Sequence, residues 1–412
     1  MIKKKYSAPF IVLLAATIYF VFFYKDKTLK FVPKNADAVV LVDVKKLTGK
    51  YLYTLAVHPS AWTFYKTKRK GSASLKDSGI KIPDFLQVFH LKGSKFSEWY
   101  TVLELKDQKK LITFLKKHQF ISKGKNLFQK DQVYLIIEDG HCIFGTSNSA
   151  FTTIRQQLLQ ASEKNTFHAD RFIQGTDGSI SFISGQKIQN FSVELKDDGI
   201  EISNHSKSEN LNSLALKLQQ GSHFLEMELD AENIKNAGLF FSKSRADLSQ
   251  INYFRATADL EQVSDTIVSY GYDDDFNEIE KKTVQKIIQP NYIIDLQSRA
   301  PGKTWDYFQA KKWINTRNQF TAIPFQPNTI SLSAGGIVIK SIRKPIPLSA
   351  KQNENYIFIR NIPMLSSSLS ALSETEKRLI SDIEYILYGN KAQNYWVKVK
   401  TRNGKLPLIL RR

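Results

Sequence analysis

Residues that could bind a metal ion or act as nucleophiles are scattered along this 412-residue chain. Its seven histidines include no His-Glu-x-x-His pair of the kind that binds zinc from one helix. His141 adjoins the single cysteine, Cys142, but neighbouring strand residues point to opposite faces and do not readily share a metal ion. The apolar residues around Cys142 favour a buried structural thiol. We therefore expect no metal, no cofactor and no catalytic cysteine.

Three consecutive aspartates, Asp273 to Asp275, have the composition of a calcium-binding loop. An EF-hand loop beginning at Asp273 needs glycine at its sixth position and glutamate at its twelfth, where this chain has Glu278 and Val284. The simpler prediction is that Asp275 caps a helix running from Asn277 to Ile288, with Glu278 completing a capping box.

The chain has neither a P-loop nor a Gly-x-Ser-x-Gly nucleophile elbow. Gly335 and Gly336 lie between two predicted strands, which is typical of a hairpin and not of a dinucleotide-binding loop. No catalytic residue is predicted from these motifs. A triad assembled from distant residues has no local motif, so an enzyme of unrecognised family stays an alternative.

The densest basic cluster consists of Lys66, Lys68, Arg69 and Lys70, and Gly71-Ser72-Ala73-Ser74 follows it. This composition predicts an exposed loop and a candidate anion-binding site. The whole chain has 59 Lys and Arg against 39 Asp and Glu, a net charge of +20. Such a charge favours solubility and anionic partners, such as lipid head groups or an acidic envelope polymer, whereas nucleic acid is not expected because the other basic residues are dispersed.

The predicted strands and helices indicate an α+β body with largely antiparallel sheets. Short apolar runs joined by turn residues predict hairpins about Gly93, Gly140, Gly199, Gln219-Gln220-Gly221, Gly335 and Asn403-Gly404. The remaining strands are predicted at Ala38–Val42, Ser179–Ser184 and Tyr356–Ile359, and two hairpins use Leu214–Leu218 with Phe224–Leu229 and Tyr395–Lys400 with Leu406–Leu410. Apolar residues at helical spacing predict helices from about Lys45, at Leu52–Tyr65, after the caps Asp107 and Asn148, from about Ala231, at Asn277–Ile288 and at Glu374–Leu387.

The domain organisation follows from these elements and from chain length. We predict a basic tail at residues 1–5, a transmembrane helix at 6–24, a linker at 25–35, a first α+β domain at 36–175 and a second at 176–412.

An uncharged, mostly apolar stretch runs from Tyr6 to Tyr24. As a helix it would be roughly 28 Å long, about the thickness of a bilayer's hydrocarbon core. It closes with Phe and Tyr and has no Ala-x-Ala pattern, which favours an uncleaved anchor over a cleaved signal peptide. The count of lysines near its ends does not favour a cytoplasmic N-terminus, because three precede the span and Lys25, Lys27, Lys30 and Lys34 follow it. The contiguity of Lys3, Lys4 and Lys5 does favour it, and a long C-terminal domain can translocate largely regardless of its charge. We therefore expect a single-pass protein of a bacterial inner membrane with its body in the periplasm.

The segment Pro33-Lys34-Asn35-Ala36-Asp37-Ala38-Val39, with Asp43 and Leu47 after it, resembles the start of a group of uncharacterised bacterial envelope proteins. These have an N-terminal membrane or lipid anchor and a long α+β body, so the resemblance implies location and no activity. Together these features predict an extracytoplasmic binding or scaffold protein whose partner is an envelope protein or an anionic polymer. The alternatives are an envelope lipid carrier and an enzyme of unrecognised family.

Overall fold

The structure is a computed structural model that describes residues 24–57, 78–159, 167–204, 209–237, 250–272, 275–323, 328–341, 343–368, 377 and 380–402. The predicted span from Tyr6 lies outside these ranges, apart from Tyr24. In the described part of the chain, no helix is both long and apolar enough to cross a membrane. The chain forms two compact units, of which the first ends at Asn204 and the second follows it.

The first unit contains twelve of the described strands and three described α-helices. The strands are β1 Thr28–Leu29, β2 Ala36–Asp43, β3 Phe85–Leu91, β4 Trp99–Glu104, β5 Ile121–Gly124, β6 Leu127–Lys130, β7 Val133–Glu138, β8 His141–Gly145, β9 Phe167–His168, β10 Gly178–Ser184, β11 Lys187–Lys196 and β12 Gly199–Ser203. The helices are α1 Val44–Val57, α2 Gln108–Lys117 and α3 Phe151–Ile154, which continues as a π-helical turn at Arg155–Leu159.

One antiparallel sheet organises the first unit, in the order β12-β11-β10-β2-β3-β4-β8-β7-β6-β5. β2 lies near its middle, between β10 and β3, because its valines and leucine suit a strand that is covered on both faces. The core on this sheet is built around Val39, Phe89, Tyr100 and Phe172. A second cluster, with Leu111 and Leu115, lies beneath α2.

The second unit contains eight described strands and four described α-helices. The strands are β13 Leu225–Asp230, β14 Ile251–Tyr272, β15 Glu278–Ser298, β16 Asn328–Ser333, β17 Gly336–Ser341, β18 Asn355–Arg360, β19 Ile383–Lys391 and β20 Asn394–Thr401. The helices are α4 Glu209–Gln220, α5 Ala231–Ala237, α6 Pro301–Ala310 and α7 Pro363–Ser368.

These strands form an antiparallel sheet in the order β16-β17-β15-β14-β13-β18-β19-β20. The larger core cluster contains Phe254, Leu296 and Ile339 from the sheet and Phe308 from α6. A smaller one contains Leu218 of α4.

Local signals located many of these elements correctly. The predicted strands of the hairpins β3–β4, β7–β8, β11–β12 and β16–β17 are present. Asp107 caps α2 by accepting a hydrogen bond from the Lys110 amide, as predicted. Asn148 does not cap α3, because Ala150 occupies the N-cap.

The helix predicted at Asn277–Ile288 is wrong, because these residues enter strand β15. Asp275 and Glu278 therefore form no capping box. The apparent capping box of Asp275 and Glu278 suggested a helix, but the β-branched Ile279, Thr283, Val284 and Ile287 favour a strand once β14 is there to pair with them.

Two further element predictions are wrong. The segment Leu214–Leu218, predicted as a strand, is part of helix α4. Leu214 and Leu218 are buried while Leu216 is 64% exposed, which is the spacing of a helix with one buried face. The helix predicted up to Leu387 conflicts with β19, which begins at Ile383. Residues 406–410 lie outside the described ranges, and β20 forms its hairpin with β19 instead.

The chain is thus mixed but strand-rich, with largely antiparallel sheets. The division between the units differs from the boundary predicted at residue 175. Strands β10 to β12 belong to the first unit because β10 pairs with β2.

Candidate functional site

The two longest described strands, β14 and β15, extend well beyond their neighbours in the sheet. β13 pairs with β14 only from Tyr253 to Ala258, and β17 pairs with β15 only from Ile293 to Gln297. Between the pairs Ser264–Lys286 and Tyr272–Glu278, the described residues show these strands paired only with each other. We call residues 264–272 and 278–286 the distal arm, which is roughly 30 Å long.

The base of this hairpin is fixed by buried polar contacts. The Tyr292 amide donates to Ser341 Oγ at 3.1 Å, and the Tyr292 hydroxyl donates to Asn328 Oδ1 at 2.5 Å. Asn291 donates to the Lys344 carbonyl, and helix α7 packs against both strands. Buried hydrogen bonds of this kind specify one arrangement, so the distal arm leaves the sheet from a firm base.

Large apolar side chains are exposed on the distal arm. Residues opposite each other in the ladder share a face, so Val268, Tyr270, Tyr272 and Val284 lie on one face. Their exposed fractions run from 42% to 72%. Phe276, in the turn, is 86% exposed. Large apolar side chains exposed together on one face, among charged residues, are typical of a site of interaction.

The outer edge of β15 carries charges of both signs in the distal arm. The acidic residues are Glu278 and Glu280, and the basic residues are Lys281, Lys282 and Lys286. Lys282 is paired with Glu280 of its own strand at 3.1 Å. Charges on an exposed edge prevent indiscriminate strand pairing, so any strand that adds here must match this pattern.

A cluster with the composition of a catalytic triad lies at the β3–β4 hairpin of the first unit. His90 Nδ1 is 2.6 Å from Asp37 Oδ1, and His90 Nε2 is 3.1 Å from Ser94 Oγ. His90 is buried. Asp37 and His90 are 53 positions apart, and no sequence motif joins them, which is why sequence reasoning missed this cluster.

The hydrogen bonds show that His90 is not a general base here. Its Nε2 also lies 3.0 Å from the Lys95 carbonyl, which can only accept, while the Asp37 carboxylate accepts from Nδ1. Both ring nitrogens therefore donate, and the ring is a cation. The Ser94 hydroxyl donates to the Leu91 carbonyl at 2.8 Å. A catalytic triad needs the serine to donate to a neutral imidazole, which this arrangement does not provide. The hydrogen bonds of the cluster instead stabilise the β3–β4 hairpin.

The pKa of His90 agrees with this assignment. Burial alone would lower the pKa, but the hydrogen bonds to Asp37 and to the Lys95 carbonyl outweigh it, and the pKa is raised above its usual value. The rings of Phe96 and Trp99 flank the imidazole, with centroids at 6.0 and 5.5 Å.

A depression of about 220 Å³ in the first unit is lined by charged side chains. These charges are already paired with one another. Lys81 pairs with Glu104, Lys30 lies 3.4 Å from Asp26, and Asp84 lies 3.5 Å from the neighbouring Lys45. Ligand pockets are usually larger, at about 300–1,000 Å³, and mostly apolar, so this depression lacks the features of a substrate site.

Asp177 is a buried carboxylate with two cationic partners. It pairs with Lys50 and lies 3.4 Å from Lys46, both on α1, and it accepts from the Leu195 amide at 2.9 Å. Burial would raise the pKa of Asp177, but these partners outweigh it and hold the pKa below its usual value. The group ties α1 to the sheet.

The residues singled out from the sequence have different outcomes. Cys142 is buried, and burial raises the pKa of its thiol to about 12, so it is no nucleophile at neutral pH. Within the described ranges, no three side chains of metal-ligating type come together. Lys66, Lys68, Arg69 and Lys70 lie outside the described residues, and the anion site there stays a prediction.

Comparison with known proteins gives no further guide to the role of these groups, because no family model, curated protein or solved structure matches the chain.

Proposed function

We propose that this chain is a single-pass, membrane-anchored binding or scaffold protein of a bacterial envelope, and that its distal arm is the element that contacts a partner protein. The observation that carries this proposal is the arm itself. It presents exposed tyrosines and valines and the two edges of a ribbon that pairs with no other strand among the described residues, beyond the sheet that holds its base.

The location rests on the sequence. The apolar segment from Tyr6 to Tyr24 has the length of one membrane span, and the contiguity of the three lysines before it supports a cytoplasmic N-terminus. The body then lies outside the cytoplasm, in the periplasm.

Binding is a better account than catalysis because the candidate chemical groups are already occupied. His90 is a paired cation, and Asp177 and Glu104 are both ion-paired. The distal arm, by contrast, uses its apolar side chains for no described packing in its own unit. Exposed strand edges bind by adding another strand, whose main-chain hydrogen bonds give affinity and whose side chains give specificity.

A photo-crosslinking amino acid at Val284 tests this proposal in the full chain, in intact bacterial membranes. Val284 is 68% exposed on the distal arm, and Ile121 of the first unit, at 63%, is the matched control. We expect adducts of discrete mass from position 284 and none of the same mass from position 121. Mass spectrometry then identifies the second protein. A chain that yields no adduct at 284, or the same adducts at both positions, does not bind through its arm.

A further inference from the structure

The occupant of the distal arm can be inferred from the arm's own outer edge, an inference that rests on the proposed function. A two-stranded ribbon is only marginally stable in water, whereas three or more strands form a stable sheet. The described part of the chain supplies no third strand to the distal arm. A strand of matching pattern on a second molecule would supply it.

A second copy of the chain can pair with the arm only in certain registers. Two copies of β15 that lie antiparallel are related by a two-fold axis perpendicular to the sheet, so each face meets the same face of the other copy. Residues directly opposite each other then have numbers with an even sum, and one residue lies opposite itself on the axis. The charges on the edge decide which residue this is.

The register centred on Thr283 pairs opposite charges and places no like charges opposite each other. Glu280 lies opposite Lys286 of the second copy, and Ile279 lies opposite Ile287 of the second copy. Each of these pairs occurs twice because of the symmetry. Opposite charges and β-branched pairs directly across a ladder are stabilising.

Most of the neighbouring registers place like charges opposite each other. Centring on Glu280, Lys281 or Lys282 places two like charges on the axis, and centring on Val284 places Lys282 opposite Lys286 twice. Like charges directly opposite each other destabilise a sheet. Centring on Gln285 opposes no like charges but forms no pair of opposite charges either. Among the registers centred on residues 280–285, only that of Thr283 pairs opposite charges without opposing like ones.

We propose that two copies of this chain associate through their distal arms, with β15 pairing antiparallel to β15 about a two-fold axis at Thr283. The two ribbons become one four-stranded sheet. Val284 then lies opposite Lys282 of the second copy, whose aliphatic stem covers apolar surface while its ammonium group stays in water.

Cysteine cross-linking of the purified full-length chain in detergent tests this register. Two opposed Cα atoms on an axis at Thr283 would lie about 4.5–5.5 Å apart, which is within the range of a disulfide. Thr283→Cys should therefore give a disulfide-linked dimer under mild oxidation. Ser269→Cys, on β14 of the same arm and exposed, is the control and should not cross-link. Cys142 does not interfere, since it is buried.

Charge reversal then tests the pairing itself in the Thr283→Cys background. Glu280→Lys or Lys286→Glu converts two attractive pairs into two repulsive ones, and each should weaken association roughly 5- to 30-fold. The double variant restores both pairs, with their signs exchanged, and should recover the cross-linked fraction. A general effect of net charge would move association in opposite directions in the two single variants, whereas the proposed pairing requires both to weaken it.

These experiments distinguish failure of the self-pairing proposal from failure of the proposed function. Equal cross-linking at positions 283 and 269, no dimer at 283, or no rescue by the double variant would overturn self-pairing. If position 284 still forms an adduct with a different protein in membranes, the arm is a binding element whose occupant is that protein.

Discussion

The charge on the His90 ring couples the β3–β4 hairpin to pH. The imidazole donates to Asp37 through Nδ1 and to the Lys95 carbonyl through Nε2, and these contacts raise its pKa. A histidine whose folded pKa is raised contributes stability that is fully present below its unfolded value near 6.5. That contribution is lost as pH rises through the raised folded value, because the folded state then releases its extra proton.

Replacing Asp37 with Asn should remove most of this pH dependence. The wild-type chain should lose about 0.5–1 kcal/mol of stability relative to Asp37→Asn as pH rises from below 6.5 through the folded pKa of His90. Thermal unfolding of both chains between about pH 5.5 and about pH 8.5 measures this difference.

The pair formed by His168 and Asp170 is the matched control, since its atoms are 3.3 Å apart but both side chains are more than half exposed. Solvent screens an exposed pair, so Asp170→Asn should leave the pH dependence unchanged. Parallel stability curves for wild type and Asp37→Asn would contradict the assigned role of His90.

How much of each residue's role could be predicted depended on sequence distance. The cap at Asp107 and the buried thiol at Cys142 were predictable, because their causes lie within a few residues. The contact between Asp37 and His90 was not, because it exists only once β2 and β3 pair.

At the scale of elements, turn chemistry was the reliable signal. Asp139-Gly140 and Gly335-Gly336 both predicted their hairpins. Asp139 and Gly140 have the positive φ angles that such a tight turn needs. The hairpin of β14 and β15 has a longer turn, and its pairing joins residues up to 47 positions apart, from Ile251 to Ser298. Residues 278–288 form a strand because β14 pairs with them, and the local sequence carries no information about that distant partner.

Gly336 shows how closely β17 approaches β15. It lies opposite Gln297, and a Cβ atom at position 336 would be 1.9 Å from the Leu296 carbonyl oxygen. Glycine is the residue that permits such an approach of two backbones. The sequence predicted a turn at this glycine but gave no sign of this contact, which requires the strand order of the sheet.

Gly336→Ala should therefore destabilise the second unit by about 1–3 kcal/mol, the usual cost of overpacking. Chemical denaturation monitored by circular dichroism measures this loss. Gly335→Ala is the matched control, because a Cβ there meets nothing within 4 Å, and it should change stability little. If the two variants have the same midpoint, the strands have more room than the structure shows.

At the scale of the whole molecule, the sequence predicted antiparallel meanders but not which strands share a sheet. β10 pairs with β2, so that Ile180 lies opposite Val40, although the two residues are far apart in the chain. Apolar strands of similar pattern can pair in several orders, and only packing selects one. This is why the boundary predicted near residue 175 differs from the observed division after Asn204.

Membrane attachment is the property of the whole chain on which the proposed function depends most. Replacing Leu14 and Ile18 with Arg would place two charges near the centre of the predicted span, at a cost of roughly 2.5–3.5 kcal/mol each. The variant should leave the membrane fraction or fail to accumulate, as measured by fractionation and immunoblotting. The control places arginine at Ile121 and Leu216, which are 63% and 64% exposed on the body, and it should stay in the membrane fraction. Full membrane retention of the Leu14 and Ile18 variant would show that the body itself binds the membrane, and it would contradict the predicted N-terminal anchor.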